Sequence, residues 1–220
     1  MTFQGFPDAG LVFYEGLEAD NSKTYWTQHK ADYDQQVRLP LQALLDEVAG
    51  EFGSAKVFRP YRDVRFSHDK TPYKTHQGAV VHAEGQGSGA WYVQLSADGL
   101  MVSGGSWRLE SDQVARYRRA VDDAVQGPRL QAEIDRLEAA GWSTEGDRLT
   151  RVPAGFDKDH PRLELLKHKA LHGSRRWEPA DWLHDRRALD VVRDSWRDLR
   201  ALNTWLADNV GASAKEPRRR

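Results

Sequence analysis

Gly78-Ala79-Val80-Val81-His82, Trp91-Tyr92-Val93-Gln94-Leu95-Ser96 and Leu100-Met101-Val102-Ser103-Gly104-Gly105-Ser106-Trp107 are three short β-rich runs in the middle of the chain. Gly85-Gln86-Gly87-Ser88-Gly89 separates the first two and Ala97-Asp98-Gly99 the last two, and both read as turns. Connections this short favour antiparallel pairing. Val64-Arg65-Phe66 reads as a further strand upstream. The Gly-rich turn is not a phosphate loop, because no Lys-Ser/Thr and no helical pattern follow it.

Helical patterns flank this region on both sides. Leu11, Tyr14 and Leu17 recur at helical spacing after Pro7-Asp8, and Asp20-Asn21-Ser22 breaks and recaps the chain. Tyr25, Trp26, His29, Tyr33 and Val37 form one side of a second helix, with a kink or restart expected at Pro40. Leu41, Leu44, Leu45 and Val48 carry the stripe on to a stop at Gly53. Downstream, Ser111 is a plausible N-cap for a helix bearing Val114, Tyr117, Val121 and Val125. Gly127-Pro128 opens another helix, closed by Gly141. Trp142 to Pro153 reads as a small hairpin turning at Glu145-Gly146-Asp147. Pro161 starts a helix with Leu163, Leu166 and Ala170, and Leu189 to Val210 form the stripe of one long last helix. These patterns predict a single α+β domain over 1–212, with an antiparallel sheet of about four to six strands packed against several helices. Residues 213–220 read as a disordered basic tail.

Composition narrows the function. The 220-residue chain has no cysteine, so disulfides, zinc–thiolate sites and a cysteine nucleophile are excluded. Its formal net charge of −1 argues against a general nucleic-acid coat, though not against a local basic patch. No apolar run is long enough for a membrane span and no signal-peptide pattern opens the chain. Arg outnumbers Lys 23 to 9, a bias that genome composition produces by itself, so only local placement of Arg carries a functional argument.

That placement is densest between Lys56 and His76, where six Lys or Arg face two Asp. On a strand over 62–68, Val64 and Phe66 would face the core, with Asp63, Arg65 and Ser67 on the opposite face. Asp63 could hold the Arg65 fork, Lys70 and Lys74 would flank a Thr71-Pro72 turn, and Tyr73 would add a ring and a hydroxyl. Such a group suits phosphate or carboxylate. The alternative is that these charges pair among themselves and hold a loop on the sheet. Gly104-Gly105 offers either a close approach for a ligand or a bulge. Asp159-His160-Pro161 offers either an acid–base histidine or a helix cap. No histidine spacing matches a metal site, and no serine elbow, Walker loop or dinucleotide fingerprint is present.

The run Phe58-Arg59-Pro60-Tyr61-Arg62-Asp63-Val64-Arg65-Phe66-Ser67-His68-Asp69-Lys70-Thr71-Pro72-Tyr73-Lys74-Thr75 resembles the signature of an uncharacterised bacterial and fungal family, the domain of unknown function numbered twenty-four sixty-one. Gly5-Phe6, Trp26 with Tyr33, Gly104-Gly105 before Trp107, Arg118, Pro153-Ala154-Gly155-Phe156, Asp159-His160-Pro161 and Leu166-Lys167-His168-Lys169 match the same pattern. The resemblance covers nearly the whole chain to about residue 210 and implies a single-domain cytoplasmic protein. It carries no reaction, cofactor or catalytic residue.

Three functions therefore stand as expectations. The first is binding of a phosphate- or carboxylate-bearing small molecule, with or without catalysis, through Arg59, Arg62, Arg65, Ser67, Lys70, Tyr73, Lys74, Gly104 and Gly105. Asp63, Asp69 and His160 are its candidate acid–base groups, and neither metal nor cofactor is expected. The second is a nucleic-acid-binding module using the basic residues with Tyr61, Phe66 and Tyr73. The third is a structural or partner-binding protein with an internal ion network.

Overall fold

The computed structural model describes residues 2–65, 68–82 and 89–215. The α+β class holds, with a six-stranded antiparallel sheet in the order β1-β2-β3-β4-β6-β5. The strands are β1 (Ser54–Val57), β2 (His76–His82), β3 (Ala90–Ser96), β4 (Gly99–Ser106), β5 (Ser143–Glu145) and β6 (Leu171–Trp177). The principal helices are α1 (Asp8–Ala19), α2 (Lys23–Asp32), α3 (Leu39–Phe52), α4 (Ser111–Asp122), α5 (Gln126–Ala139), the short α6 (Leu163–Leu166), α7 (Arg187–Asp198) and α8 (Arg200–Asn209). By internal contacts the chain forms two compact units. The first comprises Met1–Val81, Tyr92–Val102 and Arg176–Ser195; the second comprises His82–Trp91, Ser103–Arg175 and Trp196–Arg220. No helix among the described residues is long and apolar enough to cross a membrane.

In the first unit, Ser22 caps α2 by accepting from the Tyr25 N–H at 3.1 Å. The chain then runs from α2 into α3 without a break, through a π-helical segment at Tyr33–Arg38. Pro40 explains that segment. It has no N–H to give the Gln36 carbonyl, and its ring crowds that oxygen. A wider turn accommodates the ring, and the Leu39 N–H reaches back five residues to Asp34 O. The sequence predicts a kink at Pro40; the structure instead shows a π-helical turn immediately before it. The Gln36 carbonyl faces Gly10 of α1, where a Cβ would lie 2.6 Å from the oxygen. On β2, Gln77, Ala79 and Val81 are buried and their neighbours His76, Val80 and His82 are more exposed, so the odd positions face the core.

In the second unit, Glu110 rather than Ser111 caps α4. Its side chain accepts from the Gln113 N–H, and the Gln113 side chain accepts from the Glu110 N–H at 2.9 Å. Ser143–Glu145 does not fold back on its own downstream segment as the expected hairpin would. It pairs antiparallel with β6, Thr144 opposite Gly173. Only Leu163–Leu166 of the helix expected after Pro161 is helical, and the chain then enters β6. Leu199 breaks the expected long last helix between α7 and α8. Residues 213–215 are held at the start of α4: Ser213 Oγ and the Ala214 N–H donate to Asp112 at 2.8 and 2.9 Å. Residues 216–220 lie outside the described residues, as do 85–88 of the turn read from the sequence.

The contact between Gly10 and the Gln36 carbonyl leads to a stability prediction. Gly10→Ala improves helix propensity but drives a methyl into a backbone oxygen, so the thermal midpoint should fall, by the equivalent of about 1–3 kcal/mol. Gly50→Ala, in a position of α3 with nothing within 4 Å of its Cβ, should instead raise stability by about 0.5–1 kcal/mol. Equal midpoints for the two variants would show that α1 does not pack tightly at position 10.

Candidate functional site

The basic segment leaves β1 at Phe58, whose N–H donates to Gly78 O at 3.0 Å. It returns to β2 through an isolated antiparallel bridge between Tyr61 and Tyr73. On either side, the Arg62 N–H donates to Pro72 O at 2.9 Å and the Lys74 N–H to Pro60 O at 2.8 Å. Asn21 fixes Tyr73 from the start of α2, donating to its carbonyl at 3.0 Å and accepting from its N–H at 3.1 Å. Residues between Arg62 and Pro72 form a loop closed at this neck.

The strand expected over 62–68 does not form at its described positions. Arg62 to Val64 are irregular and Arg65 lies in a turn. The reason is local. Asp63 accepts from the Arg65 N–H at 3.3 Å and so consumes a donor that a strand ladder would use. Asp63 also takes the Arg65 guanidinium on both oxygens, at 2.9 and 2.6 Å. Val64 is half-exposed rather than in the core, and the Arg65 side chain is 73% exposed. Asp69 accepts from the Thr71 N–H and hydroxyl at 2.9 and 2.8 Å and pairs with Arg62. Lys70 donates to Val64 O at 2.9 Å. Ser67 and Phe66 lie outside the described residues. Arg62, Arg65 and Lys70 are thus engaged by carboxylates and carbonyls of their own loop.

Arg59 is different. Its side chain makes no hydrogen bond or ion pair with another described residue, and it borders an open cleft of about 340 Å³. The walls are aromatic: Trp26, Tyr33, Phe58 and Tyr61. Trp26 is backed by Tyr73, with ring centroids 4.4 Å apart and planes within 9°, and it meets Tyr33 at 4.9 Å. The helix side supplies Lys30, Asp34 and Arg38, spaced four residues apart. Asp34 pairs with Lys30 and lies 3.9 Å from Arg38, so one carboxylate sits between two cations. With Arg59 the lining holds three cations and one carboxylate.

A buried relay joins the two sides of the cleft. The Tyr33 hydroxyl donates to Gln77 Oε1 at 2.5 Å, and Gln77 Nε2 donates to Phe58 O at 2.7 Å. Burial pushes the Tyr33 hydroxyl up to about 12, so it remains a donor at any physiological pH. The backbone that carries Arg59 is therefore tied to the π-helical segment that carries Asp34 and Arg38.

Of the residues expected to form a site, Arg59 lines this cleft and Tyr73 supports it from behind. Lys74 lies over the Phe58 ring at 5.2 Å from its centroid. Gly104 and Gly105 belong to the second unit. There a Cβ at 104 would press on Leu199 and Trp91 at 3.1 Å, and one at 105 would meet His172 Cα at 2.4 Å. Both glycines thus serve close packing. His160 is also in the second unit. Its Nδ1 accepts from the Arg162 N–H at 3.0 Å, which leaves the ring proton on Nε2 to donate to Asp122 at 3.2 Å. Asp63 is held well below the usual carboxylate range by hydrogen bonds from Arg65, and Asp69 is lowered to about 2 by hydrogen bonds from Thr71 and Arg62. Carboxylates this weakly basic are poor proton acceptors. Among the described residues, no cluster of three His, Asp or Glu could hold a metal ion.

Trp26, Tyr33 and Tyr61 enter the sequence reading only as helical stripe, family pattern or a nucleic-acid stacking candidate, and Lys30, Asp34 and Arg38 do not enter it at all. A signal was present. Lys30, Asp34 and Arg38 repeat at four-residue intervals beside the tryptophan and tyrosine of the same helix, just before a mid-helix proline.

The loop clasp has a pH signature. Asp69 has a lower affinity for protons in the folded chain than its ordinary 3.8. The unfolded chain therefore binds more protons between 3.8 and about 2, and the clasp's stabilisation, present in full above 3.8, is lost as pH falls towards about 2. Carboxyl chemical shifts should show Asp69 titrating near 2 and Asp63 lower still. Titration of Asp69 at 3.8 would show that the clasp is not closed in solution.

No curated protein and no solved structure matches the chain. The model of one family matches residues 9–205, and the chain belongs to that family, described as conserved hypothetical protein (DUF2461).

Proposed function

We propose that the protein binds a small molecule bearing a phosphate or carboxylate group in the cleft between Trp26, Tyr61 and Arg59. The observation that carries this reading is Arg59: a guanidinium that makes no hydrogen bond or ion pair with another described residue, at the edge of an aromatic-walled cleft. A guanidinium offers two parallel donors to a planar anion. Flat rings offer apolar contact to the rest of the ligand, and the cleft lies at the small end of the usual range for ligand sites. Lys30 and Arg38 add positive charge on the facing helix, with Asp34 as a built-in competitor that an entering anion displaces. The role assigned is binding; the lowered carboxylates of the loop supply no base for catalysis.

The internal-network reading keeps its own support for residues 62–71, where every described cation is paired within the loop. It reaches Arg59 only as a minor electrostatic effect on Asp63, with no hydrogen bond or ion pair. A cytoplasmic setting, implied by the family resemblance, is consistent with a chain that has no cysteine.

A thermal-shift screen of aromatic carboxylates, sugar phosphates and nucleotides tests the proposal. At least one class should raise the midpoint of the intact chain in a saturable way. Arg59→Ala should weaken that ligand about 10- to 100-fold, the loss of one charge-assisted contact worth roughly 1.5–3 kcal/mol. Arg65→Ala should leave its affinity within about twofold, because Arg65 is paired with Asp63 at the surface and is not among the residues lining the cleft. Equal effects of the two substitutions would defeat the assignment.

A further inference from the structure

The cleft takes up the core-facing side of the chain around β2. The even positions of β2 point the other way. His76, Val80 and His82 are more exposed than their odd-numbered neighbours. Gly78 has no side chain, and the Tyr92 hydroxyl of β3 occupies the place above it, 2.3 Å from where a Cβ would be. Tyr92 therefore lies on the same side as His76. So does Gln94, which accepts from the Tyr92 hydroxyl at 2.8 Å. Phe58 faces the Tyr92 ring at 6.3 Å, and Lys74 lies over Phe58. These contacts gather Lys74, His76, Tyr92 and Gln94 into one polar patch in the first unit.

The charges that act on His76 in this patch are all positive. Arg176, the exposed residue before the end of β6, acts electrostatically on both Tyr92 and His76. His76 is lowered first by burial and then by Lys74, Arg176 and Arg62, with no carboxylate acting against them. Arg62 is already paired with Asp69. The side chains of Lys74 and Arg176 make no hydrogen bond or ion pair with another described residue. Gln94 gives its oxygen to Tyr92, which leaves its amide nitrogen as a donor on the same surface.

We infer that this face, centred on Lys74, His76, Gln94 and Arg176, is a second anion site that takes the phosphate group of a small molecule. Two separated cations and two neutral donors match a phosphate's several oxygens better than a single carboxylate does. The chain's near-zero net charge and the half-buried Tyr92, with its hydroxyl already bonded, disfavour a nucleic-acid strand stacked across the face. The site borders the Arg59 cleft: Phe58, over which Lys74 lies, also lines that cleft, and Arg59 acts electrostatically on Lys74.

The test titrates the full chain with inorganic phosphate and with phenyl phosphate at low ionic strength, by calorimetry and by amide chemical shifts. At least one of the two should saturate a site that persists in the Arg59→Ala chain, where the cleft's own anion contact is removed. The amide signals of His76 and Gln94 should move, a readout that needs no variant. Binding by phenyl phosphate alone assigns the site to phosphate esters; binding by both assigns it to the phosphate group itself. Arg176→Gln and Lys74→Ala should each weaken binding about tenfold or more, and Arg59→Ala, which removes only an electrostatic neighbour of Lys74, should change it by no more than about twofold. Three results overturn the inference: no saturable binding of either probe; binding lost in Arg59→Ala but kept in Arg176→Gln; or a short oligonucleotide that displaces phosphate with a steep salt dependence, which would make the face a nucleic-acid surface.

Discussion

Gln77 is the joint on which the candidate site depends. It sits on β2 at 1% exposure and satisfies three groups at once: the Tyr33 hydroxyl, Phe58 O and Gly78 O. A buried amide left without these partners would cost about 1–3 kcal/mol for each orphaned group. The network therefore holds only one arrangement of the helix relative to the segment leaving β1. That arrangement is the one that faces Arg59 with Asp34 and Arg38. The π-helical turn serves the same end. It absorbs Pro40 without ending the helix and lets Tyr33 reach β2 while Asp34 and Arg38 turn to the cleft. A wider turn of this kind is uncommon, and such turns recur at functional sites.

The same residues show why a dense charge motif is a poor map of a binding site. Asp63 and Arg65 are two apart, and Asp69 and Thr71 are two apart, so each carboxylate closes on the nearest donor. The loop consumes its own charge. What remains for a ligand lies at its borders: Arg59 before the neck, Lys74 and His76 after it. Border residues are tied to strand geometry, and their side chains are directed by the sheet rather than by the nearest opposite charge.

Most of the helices are legible in the sequence for local reasons. Pro7-Asp8 starts α1, Ser22 caps α2, and Gly53 and Gly141 end α3 and α5, all by chemistry within one turn. The strands β2, β3 and β4 are legible because they are short β-rich runs separated by glycine-containing turns. β6 is not. Leu171-His172-Gly173-Ser174-Arg175-Arg176-Trp177 is poor in β-branched residues and carries two arginines. It is a strand because its neighbours in the sheet pair with it, and its Gly173 is needed where a Cβ would lie 2.5 Å from Leu199. Val64-Arg65-Phe66 errs the other way. Its composition suits a strand, and an aspartate one residue earlier takes the Arg65 N–H and turns the chain at Arg65.

The amino-acid order alone determined the α+β class, the ends of α1, α2, α3 and α5 that carry their own capping or breaking residues, the family and the location of the excess positive charge. Each follows from interactions spanning a few residues or from a pattern repeated along one element. Which of those charges stand open to a ligand was decided only by tertiary structure. Lys30, Asp34 and Arg38 come to face Arg59, and Arg176 comes to act on His76, across long stretches of sequence. No local rule specifies such meetings, because they depend on strand order and on which backbone oxygens and carboxylates have already claimed the neighbouring cations.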